Sequence, residues 1–270
     1  MKPAKYVLLD PTGNRTALVT EWGGREDEKE ITRRLMEKSE QVAYLEAARR
    51  PGAAAWLRLM GGEFCGNASM AAAGWLVRKE LADGAERTVP LEVSGAAGIV
   101  ACRIRGKENG FEGTVGMPGV LGTWKTECRG IPLEAVRMEG ILHLVREGRE
   151  PLEKEEAEAL LREAAGRVPD EAVGLLDRNP ETGYMRPLVF VRGSGTTVWE
   201  TACGSGSAAI GALEALRKGT GSTVTPVPQP GGTIRAEARA ENGRVTEITI
   251  TGFVPLGEET EERILETEGL

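Results

Sequence analysis

One short pattern occurs twice in this chain and constrains its fold more than any other feature. Cys65-Gly66-Asn67-Ala68-Ser69-Met70-Ala71-Ala72 aligns with Cys203-Gly204-Ser205-Gly206-Ser207-Ala208-Ala209-Ile210. In each copy a cysteine stands before a run of tiny side chains. Such a run has no charged face to turn toward water, so each copy predicts a helix enclosed on all sides. The first is expected over Ala68 to Leu81, closed by Asp83-Gly84, and the second over Ala208 to Lys218, stopped by Gly219. Internal duplication is the economical reading.

The flanking segments repeat in the same order. Tyr6–Leu9 and Thr16–Trp22 alternate like two strands around Asp10-Pro11-Thr12-Gly13-Asn14, a hairpin. Ile31 and Leu35, four apart among charges, predict an amphipathic helix over Glu28–Lys38. Strands are expected at 42–47, 55–60, 98–105 and 111–117, and a loop near 121–130 is the boundary candidate. The second half offers a strand over Ala135–Val145, a charged helix at 153–165, strands at 187–192 and 196–200, and strands at 233–240 and 244–251. The expected domains are 1–122, carrying Cys65, and 123–252, carrying Cys203, with the tail 253–270 returning to the first.

Composition removes several classes of function. Among 270 residues, 41 acidic and 34 basic side chains give a net charge of −7 and a pI near 5.2, the wrong sign for binding nucleic acid. No apolar run reaches the roughly 18 residues of a membrane span, and no secretory leader is visible at the N-terminus. A soluble cytoplasmic protein is expected, without a membrane or nucleic-acid partner. His143 is the single histidine, so a multi-histidine zinc site is excluded, and no metal is expected. Nucleotide-binding glycine fingerprints are absent, and no pyridoxal constellation is apparent; no cofactor is expected. Cys65, Cys102, Cys128 and Cys203 should be free thiols. Cys102 and Cys128 open no helix and read as small core hydrophobes.

The first turn of a helix presents N–H groups without intrahelical partners and the positive end of the macrodipole, which favours both a thiolate and a bound carboxylate. Each half therefore supplies one reactive sulfur and half of an anion cradle. If two such halves meet across a small carboxylate, one sulfur lies on each side of its α-carbon. One thiolate then removes the α-proton while the opposite thiol delivers another. The pattern thus predicts an amino-acid racemase with Cys65 and Cys203 as its acid and base. The N–H groups of Gly66, Asn67, Gly204 and Ser205 are assigned to the α-carboxylate; Asn67 and Ser205 also suit plain helix capping. Glu200 is assigned to the substrate ammonium group. Asn14 joins the substrate-binding set, although Gly-Asn also simply makes a turn. His143 reads as a strand histidine with its polar needs met, a catalytic role being the alternative.

The chain resembles the diaminopimelate epimerase-like superfamily of cofactor-independent racemases and epimerases. The likeness rests on Cys65-Gly66-Asn67-Ala68 and on Val198-Trp199-Glu200 running into Ala202-Cys203-Gly204-Ser205-Gly206, with weaker marks at Gly13-Asn14, Pro230-Gly231-Gly232 and Ile250-Thr251-Gly252. It implies an α/β (α+β) fold of two pseudo-symmetric lobes, each a bent, mainly antiparallel sheet wrapped around a central helix. The family's arginine-bearing segment before the second cysteine is cut here to Trp199-Glu200-Thr201. The guanidinium that would hold a distal carboxylate is therefore missing. The shortened form, with Gly140-Ile141-Leu142-His143 upstream, is more similar to the superfamily's histidine racemases. Diaminopimelate epimerisation is the alternative within the class, and a thiol redox or ligand-binding module is the alternative outside it. The expected partner is a small amino-acid substrate, with a homodimer left open.

Overall fold

A computed structural model describes residues 3–193 and 195–262. It is a mixed α+β protein, mostly sheet with few helices, and it divides into two compact units, Met1–Val115 with Gly252–Leu270, and Gly116–Thr251. Residues 263–270 of the expected returning tail lie outside the described residues. No helix among those described is long and apolar enough to cross a membrane.

In the first unit, β1 (Ala4–Leu9) and β2 (Thr16–Glu21) form the expected antiparallel hairpin. The helix α1 (Glu28–Leu35) buries Ile31 and Leu35 and leads into β3 (Gln41–Glu46), which is parallel to β2. Next come β4 (Ala55–Leu59) and the central helix α2 (Gly66–Val77). The sheet continues through β5 (Glu86–Val93), β6 (Ile99–Lys107) and β7 (Gly110–Gly116). The strand β5 was not expected. It holds Pro90 and three exposed residues at its start, so it shows neither alternation nor a continuous apolar run. After Gly252 the chain adds Glu259–Glu262 to the free side of β1.

The second unit begins with β8 (Val120–Cys128), where a loop was expected. Its Gly122 and exposed Leu121 and Trp124 hide the strand period, but it pairs along its length with β9 (Ile131–Met138). The strand expected over Ala135–Val145 is two strands, β9 and β10 (Ile141–Glu147), because Gly140 at φ 82° turns the chain between them. The helix α3 (Lys154–Gly166) then crosses to β11 (Ala172–Arg178), parallel to β10, followed by β12 (Met185–Val191) and β13 (Thr196–Trp199). After the central helix α4 (Gly204–Lys218) come β14 (Gly221–Gln229), β15 (Gly232–Glu241) and β16 (Arg244–Pro255). Pro226 and Pro228 masked β14 in the sequence; an edge strand tolerates them because the missing N–H faces no partner.

Small side chains let each central helix approach its sheet. In α2 every residue from Gly66 to Trp75 is buried, and a methyl on Gly74 would collide with the Phe111 ring. In α4 a methyl on Gly211 would lie 2.7 Å from the Ala236 methyl. That contact explains the Ile234, Ala236, Ala238, Ala240 stripe on the buried face of β15. A Leu at Ala236 would force the helix outward.

Candidate active site

Each central helix begins one residue after a cysteine, earlier than the expected starts at Ala68 and Ala208. Cys65 and Cys203 are the N-cap residues, both extended, at φ −134° and −112°. The Ala68 N–H donates to Cys65 Sγ at 3.5 Å and the Gly206 N–H donates to Cys203 Sγ at 3.4 Å. Sulfur here takes the place that a serine or aspartate oxygen occupies in an ordinary cap. Ser69 and Ser207, four residues on, donate their hydroxyls to the Cys65 and Cys203 carbonyls at 2.7 and 2.8 Å. The repeated pattern is thus a repeated local structure.

In the first unit Cys65 is half-buried. Asn67, which follows it on the first helical turn, donates to Asn14 Oδ1 at 3.3 Å. The same oxygen accepts from Gln41 Nε2 at 2.7 Å, while Asn14 Nδ2 donates to Glu40 Oε2 at 2.9 Å. The Asn14 carboxamide is therefore engaged on both ends by protein, and its visible work is to hold Asn67 in place. The turn that carries it is shaped by Gly13 at φ 95° and by the Gly13 N–H donating to Asp10 Oδ1. Glu40 and Gln41 were not foreseen, since nothing local marks them.

In the second unit Cys203 is buried. Burial pushes its thiol well above the usual range near 9, and the Glu200 carboxylate, hydrogen-bonded to it, pushes the same way. The Ser205 hydroxyl, 3.5 Å from the sulfur, and the Gly206 N–H pull in the opposite direction. Ser205 Oγ also lies 2.9 Å from His143 Nε2. His143 is fully buried, its pKa is lowered to about 3 by burial, and its Nδ1 has no hydrogen-bond partner among the described residues. A neutral ring bearing its proton on Nε2 satisfies that setting best, leaving the cheaper unpaired acceptor at Nδ1. The ring fits because its register partner on β11 is Gly174, where a methyl would overlap it. His143 is thus joined to the Cys203 surroundings through Ser205, more than the expected strand histidine. Gln229, also unforeseen, accepts from the Cys203 N–H at 2.7 Å.

Glu200 meets Cys203, and Gly204 and Ser205 form the first turn beyond it. Gly66 and Asn67 stand in the same relation to Cys65. Cys102 and Cys128 are buried free thiols far along other strands, and burial raises the Cys102 thiol to about 12. Among the described residues, no group of three or more His, Cys, Asp or Glu side chains is placed to hold a metal ion.

A family model described as the histidine racemase CntK N-terminal domain matches residues 4–260. A histidine racemase from Staphylococcus aureus is 27% identical over 254 residues, covering 85% of this chain and 86% of that protein. Another from Fusobacterium nucleatum is 26% identical over 215 residues, covering 76% and 78%. The fold is similar to that of a probable proline racemase from Agrobacterium radiobacter, with a TM-score of 0.70 and 18% identity over 98% of this chain and 94% of that one.

Proposed function

The chain belongs to the family described as the histidine racemase CntK N-terminal domain, and on that premise we propose that it interconverts L- and D-histidine. It is an isomerase whose acid and base are Cys65 and Cys203, needing no cofactor and working in the cytoplasm. The observation that carries the chemistry is the cysteine cap itself, present in both units with a backbone N–H directed at each sulfur. The two units are read as copies of one lobe, a sheet bent around a cysteine-capped helix as in the diaminopimelate epimerase-like fold.

In one direction the Cys65 thiolate removes the α-proton. The Cys203 thiol, whose proton is held by burial and by Glu200, delivers its own proton to the opposite face. The cycle ends with Cys65 protonated and Cys203 as thiolate; the reverse direction runs the same steps backward. The Gly66, Asn67, Gly204 and Ser205 N–H groups are the proposed donors to the α-carboxylate, where carbanion charge delocalises. Glu200 faces both the thiol and, in this reading, the substrate ammonium group.

The arginine inventory supports a substrate with one carboxylate. Arg186 is committed to Asp177 and the Leu152 carbonyl, and Arg192 to the carbonyls of Ala165 and Val168. Arg15, exposed and 4.0 Å from Asp10, follows Asn14 directly in the chain. A distal carboxylate buried without a cation is costly. L-Histidine should therefore exceed LL-diaminopimelate in kcat/KM by about two orders of magnitude or more. The test is incubation with each amino acid in D₂O, following loss of the α-proton signal and formation of the other enantiomer. An α-proton left in place on histidine would reduce the chain to a binding module. Faster turnover of diaminopimelate would show that another basic residue, Arg15 being one candidate, has taken over the clamp.

A further inference from the structure

Cys203 is gripped at both of its own backbone groups through one side chain from a distant strand. Its N–H donates to Gln229 Oε1 at 2.7 Å, Gln229 Nε2 donates to Ser207 Oγ at 2.9 Å, and Ser207 Oγ donates to the Cys203 carbonyl at 2.8 Å. The three bonds close a ring around residue 203. Gln229 is the last residue of β14, and the turn it opens adds another contact, the Gly231 N–H donating to the Thr201 carbonyl at 2.8 Å. The turn Gln229-Pro230-Gly231-Gly232 is thereby docked onto residues 201–203. This gives the Pro-Gly-Gly segment a task that the hairpin alone does not require.

The β14 and β15 strands pair up to Gln229 and Gly232 whatever side chain stands at 229. A glutamine there is 4% exposed, and burying a carboxamide is unfavourable unless both of its ends are bonded. What the carboxamide adds over an isosteric leucine is one acceptor and one donor in a fixed plane. They match the Cys203 N–H and the Ser207 hydroxyl. An N-cap residue lies outside the helical ladder, so its N–H receives no hold from the helix it precedes. Rotation about the Cys203 N–Cα bond would swing the sulfur away from the Gly206 N–H and the Ser205 hydroxyl.

We propose that Gln229 is a positioning residue for the reaction, fixing the backbone of Cys203 so that its sulfur keeps the direction proton transfer needs. The proposal rests on the reading of Cys203 as acid and base. Displacing a reacting group by about 1 Å is enough for a rate loss of order 100-fold.

The test compares Gln229→Leu, which removes the bonds to Cys203 and Ser207 together with the long Nε2 contact to the Val227 carbonyl at 3.4 Å, with Gln229→Glu, which keeps the acceptor but loses the Nε2 donor and brings a negative charge. Three quantities are measured: kcat and KM for histidine, the pH profile of iodoacetamide alkylation at Cys203 and Cys65 separately by peptide mass spectrometry, and thermal melting. The expected result for Q229L is a kcat lowered about tenfold or more with KM within about threefold. Its Cys203 alkylation profile should be altered and its Cys65 profile unchanged. In Q229E the Cys203 profile should move to higher pH. A folded Q229L with wild-type kcat and a wild-type Cys203 profile would overturn the proposal, as would equal changes at both cysteines. If Q229L does not fold, an unmoved Cys203 profile in Q229E overturns it instead. Absence of histidine turnover in the wild-type protein would remove the proposed function, while the alkylation profiles would still decide whether Gln229 positions Cys203.

Discussion

The two cysteine caps share a backbone and differ in their surroundings. Both sulfurs accept an N–H from the third residue after them, and both carbonyls accept a serine hydroxyl from the fourth. Cys65 is half-buried beside an amide network of Asn67, Asn14 and Gln41. Cys203 is buried beside a carboxylate, a hydroxyl and a glutamine clamp. Local sequence reproduces the device twice, and its setting then gives Cys203 a proton it holds tightly. The proposed two-sulfur mechanism starts with one thiolate and one thiol, and unequal surroundings are a direct way to provide them.

The most severe break of the comparison removes either sulfur. Cys65→Ala and Cys203→Ala should each lower racemisation by about 10³-fold or more, because one face of the α-carbon loses its proton donor or acceptor. Each variant should retain slow exchange from its remaining side. Deuterium from D₂O would then enter the L form in one variant and the D form in the other, without interconversion. The same enantiomer labelled in both variants would show that the sulfurs do not serve opposite faces.

A smaller effect is expected from exchanging the residues that donate to sulfur. A methyl on Gly206 would meet Leu176 at 2.8 Å and Cys203 Sγ at 3.2 Å, whereas Ala68 already carries its methyl in the first unit. Gly206→Ala should therefore lower kcat by about tenfold and stability by about 1–3 kcal/mol. Ala68→Gly should cost only about 1 kcal/mol, the helix penalty of glycine. Melting and steady-state kinetics on both variants check this; equal losses would mean that the two helix starts are equally crowded.

The mildest test concerns charge. Burial, with the Glu200 carboxylate acting in the same direction, raises the Cys203 thiol, so Cys203 in the wild-type protein should alkylate at higher pH than an ordinary thiol. Glu200→Gln removes the carboxylate that opposes thiolate formation, and the Cys203 profile should shift to lower pH. The Cys65 profile should not move. A downward shift at Cys65 instead would place Glu200 beside the other sulfur.

Much of this was legible in the chain because it depends on short-range rules. Cysteine before a small-residue helix can be read from neighbours within one turn, and so can the Asp10–Asn14 hairpin turn and the amphipathic α1. The strands β5, β8, β11 and β14 were not legible. Their Pro90, Gly122, Gly174, Pro226 and Pro228 oppose strand formation locally, and it is pairing with other strands that overrides them. Nor did the single run Ala135–Val145 reveal that one glycine would fold it into two antiparallel strands.

Sequence by itself determined the two small-residue helices, the cysteine ahead of each and the absence of an arginine after Glu200, since each is a matter of residue type and spacing, whereas the capping role expected of Asn67 and Ser205 falls to Cys65 and Cys203. Tertiary structure alone decided what surrounds each sulfur. Gln229 reaches Cys203 from 26 residues away, Asn67 reaches Asn14 across 53, and His143 reaches Ser205 across 62. No local propensity encodes such contacts, because a buried amide or imidazole takes its partner from whichever strand packing brings beside it. The proton affinity of the Cys203 thiol follows from its depth of burial and from that company.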